Sequence, residues 1–310
     1  SVYFSSFGKS MKFIIVVNDV PVVDTHLRFV QATRSGESQP VFISYYDLKS
    51  TPGSYSIKVQ AAGDGSISDG EKLRQISVIH IPPSVPSSVA ALSDGPIGPP
   101  NSDLNLYVTG QASGPYSKVL VFVNLDATEV VQQSEVDFQI YRVSSPIGTY
   151  MKFGGANSIS MPMGILDTPG SAGSYVYYAT MFRDGGMLGT SIIAGSGSKG
   201  LQMYAVSMPS SRTYTTELST AVTVSLTTWS VIGGSLYVTC SNATDKVLLM
   251  FNADLIFMTS TATTAVFTIF RDTNNLGDSY SGLLNANPGN AQFARRGATF
   301  MFTDSPGSAG

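Results

Sequence analysis

The residues Gly195-Ser196-Gly197-Ser198-Lys199-Gly200 have the G-x-G-x-x-G spacing of loops that hold a dinucleotide pyrophosphate against the free N–H groups opening a helix. The next six residues, Leu201-Gln202-Met203-Tyr204-Ala205-Val206, read as a strand. The loop is therefore expected to be a hairpin tip, with no cofactor. Asp64-Gly65-Ser66-Ile67-Ser68-Asp69-Gly70-Glu71 places oxygen side chains at alternate positions, as a hard cation would favour. Its glycine and terminal glutamate are misplaced for an EF-hand loop, and Asp with Gly is ordinary hairpin chemistry. His26 and His80 are the only histidines. Neither stands at a metal-ligand or triad spacing, and each is expected to be exposed or at a strand edge. Cys240, the single cysteine, excludes an internal disulfide or a multi-cysteine zinc site and reads as a small buried residue on a strand. No catalytic, cofactor-binding or metal-ligating residue is assigned, and the chain is expected not to be an enzyme.

Two charged positions recur. Asp47, Asp167 and Asp304 each stand just before a Pro-Gly turn, where a carboxylate most simply caps the turn through its backbone amides. Arg142 and Arg271 each end an aromatic-rich strand. Their stems are expected to cover the end of a sandwich, with a sugar or acidic partner as the alternative. Asn242-Ala243-Thr244 is a lone glycosylation sequon. Tyr175, Tyr177, Tyr178 and Tyr204 lie on strand candidates, so some face outward, where tyrosine suits protein or carbohydrate contact. Trp229 is expected to be a core or interface anchor.

The elements that must position these residues are β-strands. Phe13-Ile14-Ile15-Val16-Val17, Val41-Phe42-Ile43-Ser44-Tyr45-Tyr46, Tyr55-Ser56-Ile57-Lys58-Val59-Gln60 and Ile76-Ser77-Val78-Ile79-His80-Ile81 are β-branched, aromatic or alternating, as antiparallel strands require. A glycine-rich hairpin spans 63–70, and no run of ten or more residues has helical periodicity. The prolines of 82–100 exclude a central strand there, and the segment reads as an extended linker. Residues 221–226 read as a further strand.

The same blocks are written more than once. Leu106-Tyr107-Val108-Thr109 with Lys118-Val119-Leu120-Val121-Phe122-Val123-Asn124 returns as Leu236-Tyr237-Val238-Thr239 with Lys246-Val247-Leu248-Leu249-Met250-Phe251-Asn252. Asp167-Thr168-Pro169-Gly170-Ser171-Ala172-Gly173 returns as Asp304-Ser305-Pro306-Gly307-Ser308-Ala309-Gly310. An internal repeat is the reading. The N-terminal part matches only its second half, with 42–47 facing 163–167, Tyr55 facing Tyr175, and the strand ending at Pro82 facing the one ending at Pro209. The fold expected is all-β, with tandem antiparallel β-sandwich or jelly-roll units and incomplete terminal units: 1–82 a partial unit, 83–103 the linker, 104–210 a complete unit, and 211–310 a third lacking its last strands. Unpaired edges must be covered, and two explanations stand: a longer chain, or a neighbouring copy that supplies strands.

Composition agrees with a surface built for contact. Hydrophobic residues make up 43% of the 310, while charged residues make up only 13%, about half the ~25% usual in soluble domains. A net charge of -3 gives no reason to expect nucleic acid or anionic lipid as partner. No apolar run reaches the ~18 residues of a membrane span, and nothing at Ser1 resembles a signal peptide.

Phe270-Arg271-Asp272 and Phe182-Arg183-Asp184, each with a following Leu-Gly, together with 167–178, resemble the jelly-roll modules of the tumour-necrosis-factor/C1q class in structural proteins of tailed phages and large aquatic DNA viruses. The resemblance covers most of 106–210, the present part of the third unit and about half of the first. Arg142 departs from it, being followed by Val143. The resemblance implies a structural protein of the virion surface, a minor capsid, cement or fibre component, whose partners are copies of itself or a shell protein. The alternative is a carbohydrate-binding or adhesive extracellular module.

Overall fold

The computed structural model describes residues 2–22, 28–32, 35–39, 41–46, 51–67, 76–92, 95–97, 102–124, 126–129, 135–154, 158–160, 162–184, 192–194, 201–209, 211, 213–215, 229–232, 235–257, 264–277, 283–286 and 294–307. They are almost entirely β. The first part holds β1 (Val2–Phe4), β2 (Ser10–Val17), β3 (Val20–Pro21), β4 (Arg28–Gln31), β5 (Glu37–Gln39), β6 (Ile57–Gly63) and β7 (Ser66–Ile67). The middle part holds β8 (Ser87–Leu92), β9 (Gly95–Ile97), β10 (Ser102–Ala112), β11 (Lys118–Asn124), β12 (Asp126–Glu129), β13 (Glu135–Arg142), β14 (Ser145–Gly154), β15 (Ser158–Ser160), β16 (Met163–Asp167), β17 (Gly173–Asp184), β18 (Ile192–Ala194) and β19 (Leu201–Met208). The last part holds β20 (Val247–Phe257), β21 (Ala265–Phe267), β22 (Phe270–Arg271), β23 (Asn274–Asn275), β24 (Leu284–Ala286) and β25 (Ala294–Asp304).

The middle part is a sandwich. One sheet runs β10-β17-β13-β14 and continues into β25-β20; the facing sheet runs β16-β11-β19-β8. Strand β11 shows why: Val119, Val121 and Val123 alternate onto one face, and that face meets Leu106, Val108, Phe138, Ile140, Tyr177 and Ala179 from the other sheet in one buried cluster. Two β-branched or apolar sets facing each other at period two are what a sandwich core needs. The short strands β15-β12-β18-β9 repeat the order of β16-β11-β19-β8, each being the neighbour in sequence of its counterpart.

In the first part β2 pairs with β6 on one side and with β3 and β4 on the other. Its core is Val2, Phe4, Met11, Phe13, Val30 and Ala32. Gly110 of β10 marks how closely the middle core is filled. A Cβ there would stand 2.5 Å from Val119 Cγ1 and 2.7 Å from Tyr177 Cε2. Gly110→Ala is expected to cost about 1–3 kcal/mol through overpacking, read as a lower urea midpoint with unchanged slope.

Several expectations are corrected. Residues 41–46 and 76–81 form no strand. The first segment is held by side chains, and Ile76, Val78 and Ile79 of the second are exposed. Residues 236–239, with the same letters as 106–109 of β10, also form no strand. The stretch 83–103 is more than a linker, since β8 and β9 end their sheets as edge strands, where proline is tolerated. Strand β7, inside the glycine-rich stretch 63–70, pairs with β1, whereas the hairpin is expected from the sequence to return into a strand at 76–81. Cys240 is buried but lies outside any strand. His26, Asp47, 195–200, 221–226 and the end of the Asp64 loop lie outside the described residues.

Candidate functional site

The recurrent charges meet one another. Arg142 ends β13 in one sheet and Asp167 ends β16 in the other; Arg142 Nη1 donates to both carboxylate oxygens at 2.8 Å. Tyr177 of β17 donates its hydroxyl to Asp167 Oδ2 at 2.8 Å, and the guanidinium lies over the Tyr175 ring, 5.7 Å from its centroid. Asp167 is therefore a clasp across the sandwich rather than a turn cap, and Arg142 is its partner rather than a free cation. In the last part Arg271 Nη1 donates to both oxygens of Asp304, again at 2.8 Å.

The local frames match as well. Val119 faces Asp167 and Phe122 faces Gly164 between β11 and β16; Val247 faces Asp304 and Met250 faces Met301 between β20 and β25. The residue after each arginine turns left-handed, Val143 with φ 58° and Asp272 with φ 54°. Hairpin pairing agrees: Tyr141 faces Pro146 and Arg142 faces Ser145, as Phe270 faces Asn275 and Arg271 faces Asn274. In the first part Val17 faces Val20 and Val16 faces Pro21 around Asn18, with φ 49°.

The outer face of β11 is where the parts touch. Phe122 stacks on Phe42 with centroids 5.9 Å apart and on Tyr204 at 5.4 Å. Asn124 Nδ2 donates to the Ser44 carbonyl and, at 2.8 Å, to Ser44 Oγ. Tyr46 N donates to Gln202 Oε1 at 3.0 Å and its carbonyl accepts from Gln202 Nε2 at 3.2 Å, while Tyr46 and Tyr204 lie 5.8 Å apart. The same kind of contact joins the middle part to the last. Asn252 Nδ2 donates to the Gly164 carbonyl at 2.6 Å, and Thr299 Oγ1 donates to the Pro162 carbonyl at 2.9 Å. Ser77 Oγ and Thr303 Oγ1, 2.8 Å apart, join the first part to the last. In sequence, Asn124 and Asn252 are the same letter of one repeated block, and the residues that receive them, Ser44 and Gly164, each stand three before a recurrent aspartate, Asp47 and Asp167.

Burial, then the hydrogen bond and charge of Asp167, push the Tyr177 hydroxyl well above the usual tyrosine range, against the pull of Arg142. Tyr204 is raised by burial, opposed by its bond to Ser44. Both folded values lie above the unfolded value of about 10. Their contribution is therefore complete below pH ~10 and is lost as pH rises, because the unfolded chain sheds these protons first. Stability should fall above pH ~10 by up to about 1.4 kcal/mol per pH unit per tyrosine, and Tyr177→Phe should flatten the slope. Urea midpoints measured from pH 8 to 11 check this.

The other residues singled out in the sequence take ordinary places. His80 is exposed. The sequon lies on an exposed turn closed by Asp245, whose carboxylate accepts from Ser241 N and Asn242 N. Trp229 is half-exposed, edge-on to Phe270. Among the described residues no group of three His, Cys, Asp or Glu could hold a metal, and no helix is long and apolar enough to cross a membrane. Sequence reasoning missed the pairing of Arg with Asp, although both recur at matched positions and that joint recurrence was the available signal.

No family model matches the chain, and no curated protein does. Among solved structures, one chain from the 2.6 Å structure of infectious bursal virus derived T=1 particles is similar at a TM-score of 0.27 and 12% identity, over 66% of this chain and 57% of that one. The chain thus spans little more than half of that protein. A TM-score of 0.27 is too low to establish a shared fold.

Proposed function

We propose that the chain is a structural component of a virus particle, a minor capsid, cement or fibre protein at the particle surface, built from one jelly-roll unit written three times. The observation that carries this reading is the recurrence of contact. The Arg–Asp clasp, its strand register and its left-handed turn occur twice, and the asparagine of the repeated block, Asn124 in β11 and Asn252 in β20, is used twice to grip the preceding part. Such heterologous contacts propagate or close a ring. The charged residues of the clasps are spent on holding sheets together, and among the described residues no group of three His, Cys, Asp or Glu converges. The virion setting rests on the resemblance of 167–178 and the Phe-Arg-Asp strands to capsid-type modules. Partners are then further copies or a shell protein. The protein should copurify with assembled particles at fixed stoichiometry and bury more than about 1,000 Å² against its partner. Substoichiometric recovery that washes away with salt would remove the reading.

One observation favours a second reading, a carbohydrate-binding module. Tyr107, Tyr178 and Tyr141 form a row across β10, β17 and β13, with centroids 5.7 and 5.3 Å apart. Thr109 and Gln111 are exposed beside them. Binding on a glycan array that disappears with Tyr107→Ala would establish it.

A further inference from the structure

The first part docks on the middle one without sharing a sheet with it. Among the described residues no strand of β1–β7 pairs with one of β8–β25. Contact is made by 41–46, an extended segment with two faces. Val41 and Ile43 pack on the core of the first part, whereas Phe42, Ser44 and Tyr46 meet the outer face of β11 and β19. There the Asn124 and Gln202 side chains hold backbone atoms of Ser44 and Tyr46, and the Tyr46 hydroxyl meets Ser87 Oγ at 2.6 Å. Amide side chains do for this segment what a neighbouring strand does in a ladder. Parting the two therefore breaks no ladder, and the two core clusters stay separate and closed.

The segment that leads from the first part into β8 has the opposite character. Ile76, Val78 and Ile79 are 53%, 65% and 55% exposed. Ser77 and His80 are exposed as well, and 76–81 forms no strand. Ser77 Oγ reaches Thr303 Oγ1, a contact that covers none of these apolar side chains. Residues 76–81 are rich in β-branched side chains and hold no Asp, Glu, Lys, Arg or Pro, which is the composition of a strand that pairs wherever a second one is offered.

We propose that two copies of this chain exchange their first parts, so that 41–46 of one copy docks on β11 and β19 of the other and the two 76–81 segments pair antiparallel between them. The inference rests on the reading of the chain as a self-associating particle component, and it names the faces used. The occupant's chemistry is that of 41–46 itself, because the receiving face matches it residue by residue. Exchange about a twofold axis makes the two linking segments pass each other in opposite directions. Docking is the same in one copy as in the exchanged pair, so what the pair gains is the mutual cover of 76–81. A two-stranded ribbon is marginal alone, and the pair is accordingly expected to be weak.

The full chain, opened in moderate urea and returned to buffer over a range of concentrations, should show a monomer–dimer equilibrium by sedimentation. Val78→Lys, at a residue 65% exposed in the single copy and so harmless to its fold, places like charges at the crossing. It should raise the dissociation constant roughly tenfold. Exchange itself is read by treating a Ser44→Cys chain and a tagged Asn124→Cys chain in the same way, mixed, and oxidising them. A covalent dimer of one of each should form and be absent from either variant alone, with the parent and its buried Cys240 as the control. A chain carrying both substitutions, kept dilute, should close the bond within itself. A monomer at every concentration would overturn the proposal. So would a dimer indifferent to Val78→Lys, or variants that cross-link no better mixed than alone although the doubly substituted chain closes. Should that chain not close, the response to Val78→Lys decides alone. A monomer that still copurifies with particles removes the exchange and leaves the particle reading standing, and a dimer absent from particles does the reverse.

Discussion

Asp167→Asn is expected to lower the stability of the middle sandwich by about 3 kcal/mol, at the lower end of the range for removing one partner of a buried ion pair. The carboxylate is nearly buried, and the Arg142 side chain is 24% exposed, so water recovers part of the loss. What remains is a guanidinium facing an amide and a Tyr177 hydroxyl without its charged acceptor. Arg142→Met in the same background should restore much of the stability, because it removes the uncompensated charge. A turn-capping carboxylate would give the opposite pattern, with Arg142→Met close to neutral alone and no rescue of Asp167→Asn. At the second clasp Arg271 is 35% exposed, and Asp304→Asn should cost less. Urea midpoints for the four single and double variants decide between the patterns.

That clasp also shows where the sequence stopped being legible. Strands β2, β11, β17 and β19 could be read because they are rich in β-branched, aromatic or other apolar residues, which is a local property, and β16 because it stands at a matched place in the repeated blocks. Asp167 and Arg142 were each visible as recurrent letters, yet they lie 25 residues apart in opposite sheets. A turn-cap explanation of the aspartate satisfied the local sequence equally well. The segments 41–46, 76–81 and 236–239 fail for a related reason. Residues 106–109 and 236–239 are both Leu-Tyr-Val-Thr, so propensity cannot separate them. What separates them is β17, which supplies the ladder for one and not for the other among the described residues. Strand propensity expresses fit to a neighbour more than any preference of the backbone. Residues 41–46 illustrate the remaining case. Their letters are those of a strand, but their hydrogen bonds come from Asn124 and Gln202 side chains and their burial comes from ring contacts.

The same segment makes Phe122 the residue with the next largest expected effect. It is fully buried, although it points away from the cluster formed by Val119, Val121 and Val123. Its cover is Phe42 on one side, Tyr204 on another, and the place where Gly164 of β16 meets Met250 of β20. A Cβ at Gly164 would stand 2.6 Å from Phe122 Cζ and 2.4 Å from Met250 Sδ, so the ring is fitted against bare backbone. Phe122→Ala should therefore cost about 3–5 kcal/mol, the range for truncating a buried phenylalanine. The loss falls on the contact between parts and not on the sandwich interior. Residues 41–46 have no ladder of their own, so without the ring they should detach. Limited proteolysis should nick the variant at 41–46 under conditions that leave the parent intact, while amides of β11, β13 and β17 keep their protection from hydrogen exchange. Gly164→Ala, which crowds the same contact from the opposite side, should cost about 1–3 kcal/mol and expose the same segment. If instead Phe122→Ala melted the middle sandwich and left 41–46 protected, the outer face of β11 would belong to the core, and contact between parts would not be what its aromatic residues serve.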